Sequence, residues 1–173
     1  MLLDLPHLKI ERNTQAKFCF RFQAVLHNSA SFCFRVMTNN KNWATRGIQI
    51  GPLKLPKREA VEVEVLDDQT KIVYLFGPGF MMMPSRDILI KVHRNKLPDG
   101  RLIAIGQSID HHTLPPKNKV KRANVDISGA IFQPLPDDEY KCLVTCVADA
   151  DPNGFLFFFL FHFFYLFSFY FQN

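Results

Sequence analysis

At 173 residues, 47% of them hydrophobic and 21% charged, the chain is long enough for one domain with a core of its own. The formal charge of +5 permits attraction to anionic lipid or nucleic acid but is too diffuse to argue for either. The start, MLLDLPHLKIER, carries Asp4 and holds no apolar run of signal-peptide length, so no secretion signal is expected.

In chain order, residues 1–57 are hard to read. Short apolar pieces (KFCFRFQAVL, SFCFRVM) alternate with polar interruptions, and GPLKLPKRE has the Pro and Gly of an irregular loop. From residue 60 the pattern is β. AVEVEVLDD alternates, which predicts Val61, Val63 and Val65 on one face and Glu62 and Glu64 on the other. KIVYLF follows, then the break GPGFMMMPS. RDILIKVHR predicts a strand with Arg86, Ile88, Ile90 and Val92 on one face, opposite Asp87, Leu89, Lys91 and His93. The turn NKLPDG, with Gly100 free to take a positive φ, leads into RLIAIGQSID as a hairpin. HHTLPPKNK reads as a loop because consecutive prolines remove ladder donors. VKRANVDISGAIFQPL and YKCLVTCVADA give two further strands, and no helix is expected between 60 and 150.

Six such segments joined mostly by short turns imply a curved antiparallel sheet. Several carry apolar residues on both faces, as Leu102 and Ala104 against Ile103 and Ile105, so a helix or a ligand has to cover the concave side.

Few groups suggest chemistry. Cys19, Cys33, Cys142 and Cys146 form no CxxC pair, and Cys142 and Cys146 fall on one strand face, as buried reduced thiols would. Asp110-His111-His112 suggests a metal only weakly, since adjacent His on a strand point opposite ways. Ser108 lacks a base partner or nucleophile elbow. The chain is therefore read as a non-enzyme without a cofactor or metal. Lys117, Lys119, Lys121 and Arg122 form the densest basic group and read as a solvated loop and strand end.

The succession PSRDILI, DGRLIAIGQSIDHHTLPP, VKRANVDISGAIFQPL and CLVTCVADADPNG resembles the START family of lipid-transfer domains. The order of the Arg-Asp, Ser, Pro, Arg-Ala, Gly and Asp-Pro-x-Gly elements carries the likeness, and Trp43 resembles the family's Trp. The resemblance implies an α+β helix-grip fold, in which a curved antiparallel sheet wraps a long C-terminal helix around a lipid-sized tunnel. It implies binding of one lipid, drawn from phospholipid, sphingolipid or sterol, and its transfer between membrane surfaces. It also implies a cytoplasmic protein peripheral to membranes, with no nucleic acid partner. Candidate lining residues are Ile88, Ile90, Val92, Leu102, Ala104, Gly106 and Ser108. Arg86 and Arg122 are candidate headgroup contacts. The structural alternative pairs Arg86 with a neighbouring carboxylate and leaves Arg122 facing solvent. Met81, Met82 and Met83 fit an adaptable lining or a loop packing locally.

Within the family, SIDHHTLPPKNKVKRA and VTCVADADPNG are most similar to the ceramide-transfer branch. The three polar positions of that branch are Ala44, Leu75 and Gly106 here, and the charged anchor of the sterol branch is Val92. The domain expectation is an undefined segment 1–31, a START-like domain 32–154 and a hydrophobic tail 155–173.

That tail, FLFFFLFHFFYLFSFYFQN, holds ten of the 18 Phe. It replaces the expected long helix. As a helix, residues 155–171 would span about 25 Å against a hydrocarbon core of about 30 Å. Three readings stand: a membrane anchor making the sheet a tethered scaffold, a degenerate core helix, or translated pyrimidine-rich intron in a mis-spliced, truncated gene product.

Overall fold

The computed structural model describes residues 3–5, 8–15, 19–39, 49–50, 53–54, 58–79, 84–151 and 153. Trp43, Ala44, Met81–Met83 and the tail 155–173 lie outside these residues, and with them the readings placed there.

The elements are β1 (Leu3–Leu5), β2 (Leu8–Asn13), β3 (Cys19–Leu26), α1 (Ala30–Met37), β4 (Gln49–Ile50), β5 (Leu53–Lys54), β6 (Glu59–Val65), β7 (Thr70–Gly77), β8 (Arg86–Lys96), β9 (Leu102–Ser108), β10 (Lys121–Arg122), β11 (Asn124–Leu135) and β12 (Asp138–Asp151). A curved sheet runs β1-β2-β3-β12-β11-β9-β8-β7-β6, antiparallel at every step, and β10 adds a short parallel pairing to β8. β4 and β5 form a separate pair. No helix interrupts the described residues between 60 and 150, as the alternation implies. Among the described residues no helix is long and apolar enough to cross a membrane.

The unread N-terminal third supplies both the far edge and the only described helix. β3 pairs along β12 from Cys142↔Leu26 to Asp149↔Cys19, so β3 is an interior strand. In α1, Ala30, Cys33, Phe34 and Met37 recur at the i, i+3, i+4, i+7 spacing of one helical face. Ser29 caps its N-terminus, accepting a bond from Phe32 N at 3.3 Å. That face packs on Phe22, Leu26, Phe132, Val144 and Leu102, with Phe34 edge-on to Phe132 at a ring separation of 5.6 Å. The side of the sheet that α1 covers is the inner face below, and the opposite side the outer face.

Two sequence expectations need correction. A bulge between Glu62 and Glu64 sets Glu62 opposite Val73 and Glu64 opposite Ile72, so the two glutamates take different faces. Their partners agree: Glu62 meets Lys71, and Glu64 meets His111 of the loop that follows β9, at 3.1 Å. On this edge strand Val61 and Val65 are exposed, and only Val63 packs against Ile72, Tyr74 and Leu89. The second correction concerns His111 and His112. They do not point apart. The chain has already left β9 and turned, with Leu114 N donating to His111 O at 3.0 Å, and the two rings stack at 4.7 Å.

All four cysteines are free, with Cys33, Cys142 and Cys146 buried and Cys19 half-buried. Burial pushes the Cys146 thiol up to about 12. Cys142 is also pushed up, through its bond with Cys33 and by burial.

Candidate functional site

Pairing register assembles the inner face from the middle of the sheet outward. Residues directly opposite in a ladder share a face. On β8 and β9 these are Ile90↔Ser108, Val92↔Gly106 and Arg94↔Ala104. Across β11 the face continues through Gly106↔Ser128, Ala104↔Ala130 and Leu102↔Phe132, and across β12 through Ala148, Cys146 and Val144. On β7 it takes Leu75 opposite Ile88 and Val73 opposite Ile90. The seven lining candidates therefore stand on one face of two neighbouring strands.

They fall into different surroundings along that face. Leu102 packs into the cluster beneath α1, with Phe132 and Val144. Ile88 and Ile90 belong to a second cluster, with Ala123, Val125, Ala150 and Leu75. Ala104, Gly106, Ser128 and Ala148 lie between the two and, with Ala130 at the edge of the first, give the centre of the face a low floor of small side chains. Only part of Ile90 and Val92 is shielded, and the described residues place no second helix over them. Ser108 has a structural bond. Its Oγ accepts from Val125 N at 2.9 Å and ties the end of β9 to the start of β11.

Arg122 does not face solvent. Its Nε donates to Asp87 Oδ1 at 2.7 Å and its Nη2 to Oδ2 at 3.0 Å, a two-pronged pairing with a carboxylate that is only 1% exposed. Asp87 holds the guanidinium pKa above its ordinary value, overcoming the opposite pull of burial. The pair sits on the outer face, where β10 runs parallel to β8 with Arg122 opposite Asp87. Arg122 Nη2 also reaches Leu114 O at 3.4 Å, which helps seat the 109–120 loop over Ile72, Tyr74 and Leu89. Arg86 donates through Nη1 to Pro84 O at 3.2 Å, at the start of β8. The two arginines thus act in different places.

The family follows from comparison. The START domain family matches residues 17–162, most of the chain. The chain belongs to the START domain family. Three solved human structures share the fold. STARD10 matches at 14% identity and a TM-score of 0.72, covering 89% of this chain and 61% of its own. The lipid transfer and protein localization domain of StarD13 (DLC2) matches at 22% and 0.62, covering 80% and 64%. StAR-related lipid transfer protein 5 matches at 16% and 0.68, covering 98% and 85%. The chain therefore spans a little over three fifths of the first two. No curated protein matches it by sequence.

Two features of this START domain escaped the sequence reading. Helix α1 had a legible signal, Ser29 followed by apolar residues at helical spacing. Arg94 did not. It stands at the end of the inner-face row Ile88-Ile90-Val92, where the alternation gives no hint that its neighbours include the end of α1. Its Nη2 donates to Thr38 O, and burial lowers its pKa against the opposing charge of Glu62.

Proposed function

We propose that the chain binds a single lipid on the inner face of its sheet and carries it between membranes, meeting them as a peripheral protein. The observation that supports this reading is the apolar inner face itself, continuous from Leu75 through Ile88 and Ile90 to Ala150 and on to the cluster under α1. An acyl chain lying there leaves water, which favours binding by about 0.8 kcal/mol for each buried methylene. Two of the matched structures, a lipid transfer and protein localization domain and a StAR-related lipid transfer protein, agree with this activity.

The residues proposed to line the lipid are Ile88, Ile90, Val92, Leu102, Ala104 and Gly106, with Ser108 at the margin bonded to backbone. Arg122 is assigned a structural role in this proposal, because both of its carboxylate-facing donors are committed to Asp87. The likeness to the ceramide-transfer branch is proposed as one of sequence outside the headgroup positions. Leu75 and Gly106 offer no side-chain donor or acceptor to an amide and hydroxyl headgroup, and an unpaired buried polar group costs about 1–3 kcal/mol. The proposed lipid-binding unit is residues 32–154 together with the start of α1 and with β1, β2 and β3, which complete the sheet. A catalytic function is not proposed.

The test is transfer of a fluorescent lipid from donor to acceptor vesicles by the full chain. Ile90→Glu, which sets a carboxylate among apolar side chains, is expected to slow transfer about tenfold or more while the protein stays folded by circular dichroism. Undiminished transfer in that variant, or no lipid uptake by the unmodified chain, would overturn the reading.

A further inference from the structure

Arg94 is distinguished by one atom. Its Nε is buried and has no hydrogen-bond partner, the sole such side-chain nitrogen or oxygen found among the described residues. Buried donors without acceptors are rare, because each forfeits its bonds to water for nothing in return. In a guanidinium, Nε and Nη2 lie along one edge, and Arg122 uses that edge to hold both oxygens of Asp87. Arg94 presents the same edge half filled: Nη2 donates to Thr38 O, and Nε has nothing.

A purely structural role explains only half of this. Thr38 closes the C-terminus of α1, and a cation there satisfies a helix-end carbonyl and the helix dipole. That role needs Nη2 alone. The surroundings supply a second observation. Lys71 lies opposite Val92 on the same face, so it is a diagonal neighbour of Arg94 on the adjacent strand, within reach of long side chains. The nearby carboxylate is Glu62, which already meets Lys71. Two cations against one carboxylate leave this end of the inner face with a surplus positive charge, directly beyond the apolar row Ile88-Ile90-Val92.

We infer that this end of the inner face is an oxyanion subsite, in which Arg94, assisted by Lys71, grips the phosphate or carboxylate headgroup of a lipid whose acyl chain lies along Val92, Ile90 and Ile88. The inference rests on the lipid-binding reading above and adds the headgroup class to it. Arg94 is half-buried as a whole and its Nε is buried, so a ligand oxygen meets Nε only once the terminal torsions rotate.

The experiment compares two fluorescent probes with identical acyl chains, phosphatidic acid and diacylglycerol, which differ by the phosphate. The full chain is expected to bind phosphatidic acid at least about tenfold more tightly. Arg94→Gln should bring the two within about twofold by weakening phosphatidic acid alone, and Arg94→Lys should restore part of the preference. Should Arg94→Gln fail to fold, Lys71→Gln leaves the Thr38 bond intact and is expected to lower the preference about threefold. Equal affinity for both probes in the unmodified chain overturns the subsite while leaving lipid binding in place. So does equal weakening of both by Arg94→Gln, the signature of a helix cap alone. Inorganic phosphate is expected to compete only at concentrations far above those of the lipid. Competition at equal concentration would mean a free-anion site and sink the headgroup assignment. Failure to bind either probe removes both this inference and the lipid reading.

Discussion

The two ends of the inner face are built from similar apolar residues yet differ in how they are finished. Beneath α1, Phe132, Val144, Cys142 and Cys146 are wholly excluded from water, sealed by Ala30, Cys33, Phe34 and Met37. Along β8 the row Ile88-Ile90-Val92 passes from buried to half-buried and ends in a cation. The first end spends its apolar area on its own helix. The second keeps area in reserve. Among the described residues, the core and the proposed lipid surface thus differ by what lies on top of the strands rather than by the strands' composition.

Three substitutions sharpen or break that contrast. The largest effect is expected from Phe132→Ala at the sealed end, a loss of about 3–5 kcal/mol in urea unfolding, because the cavity lies under a helix that cannot collapse onto it. Ile90→Ala at the other end should cost about 1–2 kcal/mol, since its side chain is only partly shielded. If the two losses prove equal, β8 is ordinary core and the reserved surface does not exist. Ser29→Ala, which removes the cap of α1, is expected to cost about 1 kcal/mol and to speed hydrogen exchange selectively at α1 amides. Unchanged exchange there would mean that packing, not the cap, holds the helix.

The β-rich part of the fold was legible from residue 60 on because period-2 alternation survives in a sheet with one covered face. Arg86, Ile88, Ile90 and Val92 share a face as their spacing implies. What defeated the reading was information that spacing does not carry. The bulge in β6 changes the side of Glu62 relative to Glu64, and a single extra residue leaves no mark in a run of alternating Val and Glu. Helix α1 is a different case: its cap and helical spacing are present in the sequence, but it is eight residues long and follows a strand of similar composition, FRFQAVL against SFCFRVM. The Arg122–Asp87 pair joins positions 35 apart in sequence, and the burial of Arg94 against Thr38 arises only where β8 meets the end of α1. Family resemblance reached the general architecture, and the departures at Leu75, Gly106 and Val92 were readable as departures. It did not reveal where this chain keeps its own polar group.

The pairing of β3 with β12 has a consequence for synthesis. Gln23 and Thr145 join their side chains across that seam at 3.0 Å, 122 residues apart. Until the ribosome has released nearly the whole described chain, β3 and β11 each present a raw edge, with main-chain donors and acceptors open to any neighbouring nascent strand. The seam closes late and over a long loop, which makes folding slow for the chain's size. Slower delivery of β12 is therefore expected to raise association between nascent chains.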